Sequence, residues 1–326
     1  MVTTWAADGT AVSARTAIGV RGLRKSYKDK VVLAGIDLDV REGTVFALLG
    51  PNGAGKTTTV RILSTLIRAD GGTAQVAGYD LDRESEAVRT AIGVTGQFSA
   101  VDNILTGEEN MIMMADLCHL ERRAGRRRAA ELLSRFDLVE AAKKPVQTYS
   151  GGMRRRLDLA MTLVGSPRII FLDEPTTGLD PRSRHTMWQT IRGLVADGVT
   201  IFLTTQYLEE ADQLADRIAV LDHGKLVAEG TADELKRLIP GGHVLLTFAD
   251  PVALDTAAGL VGGQRDDEAL TLQVPGDGDV RALRDLLARL DGAAVEVDDL
   301  SIHTPDLDDV FFALTGHPTS DKDDAK

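Results

Sequence analysis

From Ala17 to Val40 apolar and polar residues alternate in two runs separated by the charged turn Lys28-Asp29-Lys30, which predicts a hairpin. Val45-Phe46-Ala47-Leu48-Leu49 is then apolar throughout, the pattern of a strand covered on both faces. A glycine-rich loop follows, and after it an apolar-periodic helix from Lys56 to Ile67. Further short apolar runs occupy Ile169–Leu172, Val199–Leu203 and Ile218–Leu221. Strands alternating with helical patterns predict an α/β fold built on a largely parallel sheet.

Between Phe98 and Gly165 the strand pattern stops. Thr106 with Glu109 forms a capping box that opens a helix running to about Leu120, and a second helix covers Gly125 to Ala142. A helical insert over about 98–165 is therefore expected. Pro240-Gly241-Gly242 marks a boundary. Beyond it, His243–Phe248 and Ala269–Val274 read as strands, Asp279–Leu290 as a helix and the run from Ala294 as a strand. A last helix spans Pro305–Leu314, with Thr304 as cap, proline at the first position and Asp306 in the first turn. The expected layout is a disordered segment 1–16, a large α/β domain 17–239, a small α+β domain 240–319 and a frayed tail 320–326.

Charge sharpens that division. The 326 residues carry 37 basic and 49 acidic side chains, a net charge of −12. Residues 1–240 hold 31 of each sign and are neutral, whereas residues 241–326 hold 6 basic against 18 acidic and contain the whole excess. This acidity argues against a general nucleic-acid binder, which would show a basic field. No stretch approaches the ~20 apolar residues of a membrane-spanning helix. Met1–Thr16 has no basic opening or apolar core, so it does not read as a secretory signal. The single cysteine, Cys118, excludes a disulfide framework and reads as a small buried hydrophobe on a helix.

Three segments carry chemistry. Gly50-Pro51-Asn52-Gly53-Ala54-Gly55-Lys56-Thr57, with Thr58 after it, fits G-x-x-x-x-G-K-[ST] between a strand and a helix. Phosphate binding needs inward-pointing N–H groups, which a Cβ-poor loop permits at close approach, and the helix start adds its dipole. Lys56 would reach the β- and γ-phosphates, and the Thr57 hydroxyl would ligate Mg²⁺. Ile169–Leu172 delivers Asp173 and Glu174 to the C-terminal end of a strand, where ligands sit in open α/β sheets. Asp173 would hold Mg²⁺ and Glu174 would polarise the attacking water. Tyr149-Ser150-Gly151-Gly152-Met153, opening a long helix, is a second anion site. One chain needs one phosphate loop per nucleotide, so this second site suggests service to another molecule's nucleotide.

With these motifs in this order, residues 17–235 resemble the ATP-binding subunits of ABC transporters throughout. Gly50–Thr57 resembles the Walker A loop, Ile169–Asp173 Walker B with Glu174 as general base, and Tyr149–Met153 the signature, degenerate at both ends. Gly178-Leu179-Asp180 resembles the D-loop. Gln97 stands at the glutamine that links nucleotide to the transmembrane partner, and Tyr27 where family members stack a ring on adenine. The resemblance implies a P-loop NTPase fold, ATP and Mg²⁺, with Thr57, Gln97 and Asp173 around the ion. It also implies an integral-membrane permease subunit as partner, with the chain at the cytoplasmic face of the cell membrane. Two copies would sandwich two nucleotides, each phosphate loop facing the other copy's Ser150-Gly151-Gly152.

One position departs from the family pattern. Gln206 in Leu203-Thr204-Thr205-Gln206-Tyr207 stands where the switch histidine is usual. It can donate a hydrogen bond but carries no imidazolium charge, so modest hydrolysis is expected. The run Thr204–Asp212 and the segment Pro305–Phe311 resemble the daunorubicin- and doxorubicin-resistance branch of drug exporters. That branch implies efflux of a hydrophobic drug or natural product through a separate membrane subunit. A soluble ABC-type ATPase acting on ribosomes or DNA is the competing reading, although no fused second ATPase unit or coiled-coil insert is present. A small-molecule kinase would lack the Ser-Gly-Gly site. The arginine runs Arg122–Arg128 and Arg154–Arg156 read as a solvated face or a partner contact. Met111, Met113 and Met114 read as core packing, with adaptable packing against a partner as the alternative. The acidic C-terminal domain reads as an accessory element for stability, assembly or regulation.

Overall fold

The computed structural model describes residues 15–96, 100–239, 242–276, 280–303 and 305–316. The chain divides into two compact units, Met1–Thr231 and Ala232–Lys326. The expected disorder at the two termini falls largely outside the described residues, although Thr16 already lies in a strand.

In the first unit β1 (Thr16–Tyr27) and β2 (Lys30–Arg41) form the hairpin, turning at Lys28 with φ 53°. After β3 (Val45–Leu49) come α1 (Lys56–Leu63), β4 (Gly71–Val76), β5 (Tyr79–Asp80), α2 (Ser85–Ala91) and β6 (Ile92–Thr95). Three helices follow, α3 (Gly107–Leu117), α4 (Arg122–Arg135) and α5 (Gly151–Thr162). The unit closes with β7 (Ile169–Asp173), α6 (Pro181–Ala196), β8 (Thr200–Thr205), α7 (Leu208–Leu214), β9 (Arg217–Asp222) and β10 (Lys225–Gly230). One sheet has the order β2-β1-β4-β5 and is antiparallel; the other runs β10-β9-β3-β8-β7-β6 and is parallel except at β10.

Every residue of β3, β7 and β8 is buried. Coverage on both faces is why these strands read as unbroken apolar runs. Phe46 and Phe202 stack at 5.6 Å and Phe171 joins Phe202 at the same distance, tying the three central strands together. In this order the C-terminal ends of β3, β7 and β8 share one edge, where the loops after Leu49, Asp173 and Thr205 emerge.

Several elements differ from the sequence expectation. Helix α1 stops at Leu63 instead of Ile67, because the Ser64 hydroxyl donates back to the Val60 carbonyl at 2.7 Å and Thr65 turns left-handed at φ 63°. Helix α4 ends at Arg135, with Asp137 at φ 53°; only a single tight turn, Val139–Ala141, remains of the stretch expected to continue to Ala142. The Thr106–Glu109 capping box is present, and Met111 is buried while Met113 and Met114 are half-buried. Cys118 is exposed, contrary to expectation; it is the C-terminal cap residue of α3, at the end of the helix and not on its buried face.

The second unit contains α8 (Ala232–Lys236), β11 (His243–Thr247), α9 (Pro251–Val261), β12 (Gln264–Asp266), β13 (Thr271–Pro275), α10 (Val280–Gly292), β14 (Asp299–His303) and α11 (Leu307–Thr315). Its antiparallel sheet has the order β12-β13-β11-β14 around a core that includes Leu246, Leu254, Leu272 and Leu290. The unit begins eight residues before the glycine signal because α8 packs against α11. The strand expected from Ala294 starts at Asp299, since Ala294 is a left-handed turn residue at φ 54°. The cap of α11 is Asp306, whose carboxylate and that of Asp309 exchange bonds with each other's N–H; Thr304 lies outside the described residues.

Candidate nucleotide-binding site

The loop after β3 is glycine-rich because backbone from two directions crowds it. A Cβ on Gly50 would stand 2.2 Å from the Leu221 carbonyl oxygen at the end of β9. A Cβ on Gly55 would lie 2.9 Å from the Val32 carbonyl of β2, and Gly55 holds φ 117°, which side chains disfavour. Gly55 is also the N-cap of α1 and supplies no side-chain cap. The first turn of α1 therefore presents N–H groups and the positive end of its dipole without a capping oxygen, which is a seat for an anion.

Lys56 is 4% exposed and folds over this loop. Its Nζ donates to the Gly50 carbonyl at 2.6 Å and the Pro51 carbonyl at 3.2 Å, and lies 3.6 Å from Glu174 Oε1. Burial pushes the Lys56 ammonium below its usual pKa, and the carboxylates of Glu174 and Asp173 oppose that shift. Glu174 follows β7 at φ 50°, with its N–H bonded to the Thr204 carbonyl at 3.1 Å and to the Thr204 hydroxyl at 3.2 Å. A cleft of about 370 Å³ opens here, lined by Lys30, Val32, Pro51, Asn52, Gly53, Gly55, Lys56, Thr57, Thr58 and Glu174. Ala54 is buried beneath it.

Asp173 is 3% exposed and accepts from the Thr57 hydroxyl at 3.2 Å and the Thr204 hydroxyl at 2.5 Å. Thr57 and Asp173 thus put two hard oxygens together, a donor set that suits Mg²⁺ completed by phosphate and water. Among the described residues no group of three or more His, Cys, Asp or Glu could hold a metal unaided.

Ser150, Gly151 and Gly152 do not line this cleft. Ser150 caps α5 by accepting from Met153 N–H at 3.2 Å, and Gly151 is exposed. A Cβ on Gly152 would meet the Ser183 hydroxyl at 2.7 Å, and that hydroxyl donates to Asp180 at 2.6 Å. Asp180 caps α6, and the Ser183 hydroxyl and N–H hold its carboxyl below the usual range. The Ser-Gly-Gly turn and Asp180 are therefore neighbours, with Ser183 between them. Tyr149 is buried, its hydroxyl donating to the Ala141 carbonyl at 2.7 Å. Gln206 directly follows β8 and is half-buried at the same sheet edge as Glu174. Tyr27, 46% exposed at the end of β1 with Lys25 Nζ 5.5 Å from its ring centroid, is not among the cleft-lining residues. Gln97 lies outside the described residues.

Three residues escaped the sequence reading. Thr204 supports both Asp173 and the Glu174 backbone; the clue was the pair Thr204-Thr205 at the C-terminal end of a fully buried strand. Glu210 on α7 is fully buried, accepting from Thr176 Oγ1 at 2.9 Å and Trp188 Nε1 at 3.2 Å, and burial pushes its carboxyl pKa up. Arg155, grouped with a solvated basic face, instead points inward: its guanidinium donates to the carbonyls of Gly96, Asp173, Glu174 and Pro175 and to Asp158. The periodicity of α5 places Arg155 beside buried Asp158 and away from its arginine neighbours, and that spacing was the available signal.

A family model described as ABC transporter matches residues 33–177. The daunorubicin resistance ATP-binding protein DrrA2 of Streptomyces coeruleorubidus is 50% identical over 309 residues, covering 93% of this chain and 96% of that protein. The daunorubicin/doxorubicin resistance ATP-binding protein DrrA of Streptomyces peucetius is 48% identical, covering 94% of each chain. Among solved structures, a dimeric post-hydrolysis ATP-binding cassette bound to ADP and phosphate superposes with a TM-score of 0.60 at 25% identity, over 66% of this chain and 98% of that one.

Proposed function

The chain belongs to the ABC transporter family of ATP-binding subunits, and from that premise we propose that it hydrolyses MgATP to drive efflux of a hydrophobic drug or natural product through a separate integral-membrane subunit. The names of its relatives support the export role. No described helix is long and apolar enough to cross a membrane; in this reading the chain sits at the cytoplasmic face of the cell membrane, on a partner that does the crossing. The observation that carries the catalytic reading is the approach of Lys56 Nζ to Glu174 Oε1, 3.6 Å, at the mouth of a cleft walled by phosphate-loop backbone.

In this reading the N–H groups from Gly53 to Thr58 cradle the phosphates, and Lys56 gives up its bonds to Gly50 and Pro51 for phosphate oxygens. Glu174 accepts a hydrogen bond from the water that attacks the γ-phosphorus and takes its proton as the new P–O bond forms and the bond to the bridging oxygen breaks. Gln206 donates a neutral hydrogen bond toward the transferred group. Thr57 and Asp173 hold Mg²⁺, which when bound neutralises charge on the phosphate oxygens. Tyr27 offers its exposed ring to adenine, and Gln97 links the nucleotide to the membrane subunit. Because Ser150–Gly152 do not reach the chain's own cleft, they serve the nucleotide of a second copy, with Asp180 beside them. Residues 17–239 act as the ATPase domain, and the acidic residues 240–319 as an accessory domain.

Glu174→Gln tests the reading. Hydrolysis should fall by at least about 100-fold while MgATP binding persists and a dimer accumulates. A monomeric Glu174→Gln chain that still hydrolyses at the wild-type rate refutes both the base and the sandwich.

A further inference from the structure

Arg155 lies five residues after Ser150 on α5, yet its side chain is turned to the other end of the machinery and is only 12% exposed. Nε donates to the Pro175 carbonyl at 2.9 Å, and Nη2 reaches the Asp173 and Glu174 carbonyls at 3.3 and 3.4 Å. Nη1 donates to the Gly96 carbonyl just beyond β6 at 3.0 Å and to Asp158 Oδ2 at 3.2 Å. Three consecutive carbonyls of the loop that carries Glu174 thus converge on one guanidinium. The other oxygen of Asp158 accepts the Ala100 N–H at 3.2 Å, so the pair on α5 also holds the chain at Gly96 and Ala100.

Two features make this more than packing. Glu174 sits at φ 50°, a conformation that persists only where its surroundings hold it, and Arg155 is among the groups bonded to that backbone. A planar guanidinium can bond several fixed carbonyls at once, which a lysine cannot do. The same helix begins with the Ser150–Gly152 turn, so one rigid element has an exposed anion-binding end and a buried grip on the catalytic loop.

We propose that Arg155 is a positioning residue that couples the two ATP sites: seating of Ser150–Gly152 on the other copy's nucleotide shifts α5, and Arg155 carries the shift to the Glu174 backbone of its own chain. This inference rests on the two-copy reading above. Arg155 does not line the phosphate-loop cleft, and its guanidinium is engaged by backbone carbonyls and Asp158, so its loss should spare MgATP binding and act on turnover and cooperativity. Bound nucleotide at one site then aligns the base at the other, giving hydrolysis that rises more than linearly with MgATP.

The test uses the full chain with MgATP as probe. Steady-state hydrolysis is titrated for wild type, Arg155→Gln and Arg155→Lys, with binding and dimerisation measured in the Glu174→Gln background. Arg155→Gln should lower kcat by about tenfold, leave half-saturation within about twofold and bring the Hill coefficient from above one to one. Arg155→Lys keeps charge and length but not the fork; it should fold and show the same loss of cooperativity, which covers the case in which the glutamine variant does not fold. An arginine with a merely structural role would lower the active fraction and leave the Hill coefficient unchanged, and that result overturns the inference. If Glu174→Gln stays monomeric with MgATP, the two-copy reading fails and the inference with it. If that dimer forms while Arg155→Lys keeps wild-type cooperativity, the inference alone fails.

Discussion

Thr204→Val isolates one hydroxyl at the centre of the site. Thr204 is paired with Asp173 across β7 and β8, and the two are 0% and 3% exposed. The hydroxyl donates to Asp173 Oδ1 at 2.5 Å and accepts the Glu174 N–H at 3.2 Å. Valine matches threonine in volume, so the change opens no cavity and the cost is that of the lost bonds. A hydrogen bond to a charged group contributes about 1.5–3 kcal/mol net. The Glu174 N–H keeps the Thr204 backbone carbonyl at 3.1 Å, so its share of the loss is small. Among the described residues Asp173 keeps the longer 3.2 Å side-chain bond from Thr57. The expected destabilisation is about 2 kcal/mol, which for a unit of this size lowers Tm by roughly 4–8 °C. Thermal unfolding of the nucleotide-free chain, followed by circular dichroism, measures it. Thr204→Ser keeps the hydroxyl and should recover most of the loss. With Asp173 less firmly oriented, the Mg²⁺ concentration for half-maximal hydrolysis should rise on the order of tenfold. A Thr204→Val chain that melts within about 1 °C of wild type refutes the argument. Equal losses in the serine and valine variants would assign the effect to methyl packing instead.

Gly50→Ala places a methyl 2.2 Å from the Leu221 carbonyl oxygen; the loop must retreat from β9, costing about 1–3 kcal/mol and weakening ATP binding, readable by calorimetry. Binding of MgATP at wild-type affinity would show that the loop has slack. Gln206→Ala should reduce kcat with little change in half-saturation, since a donor to the transferred group is lost; hydrolysis at the wild-type rate would make Gln206 a spectator. Burial holds the Lys56 pKa below its usual value, whereas bound phosphates favour its charged form. MgATP affinity is therefore full below the nucleotide-free pKa of Lys56 and falls as pH rises through it, earlier than for an exposed lysine. A titration of affinity that stays flat toward alkaline pH would contradict the burial argument.

The phosphate loop, the Asp173–Glu174 pair and the Ser150 cap were legible in the sequence because their constraints are local. Glycines at Gly50 and Gly55, a lysine after the last one and a β-strand on one side fit within a few residues. The buried strands β3, β7 and β8 were equally plain, since coverage on both faces leaves an unbroken apolar run. Short strands such as β5 and β12 left no comparable signal; they are held by pairing with neighbours, not by patterns of their own. Even local chemistry misled where neighbours intervened, as when Ser64 turned back on Val60 and ended α1 early.

What the sequence by itself determined is which backbone can cradle an anion and which strands must be buried. Only the tertiary structure decided what those pieces face. Lys56 and Glu174 lie far apart in the chain and meet because β3 and β7 flank β8 and end at one edge. Thr204 became a support for Asp173 through strand register, and Arg155 became the hub of four carbonyls because α5 turns that side of itself inward. Periodicity specifies the faces of an element; the partner that each face meets is set by long-range packing, which no short window of residues encodes.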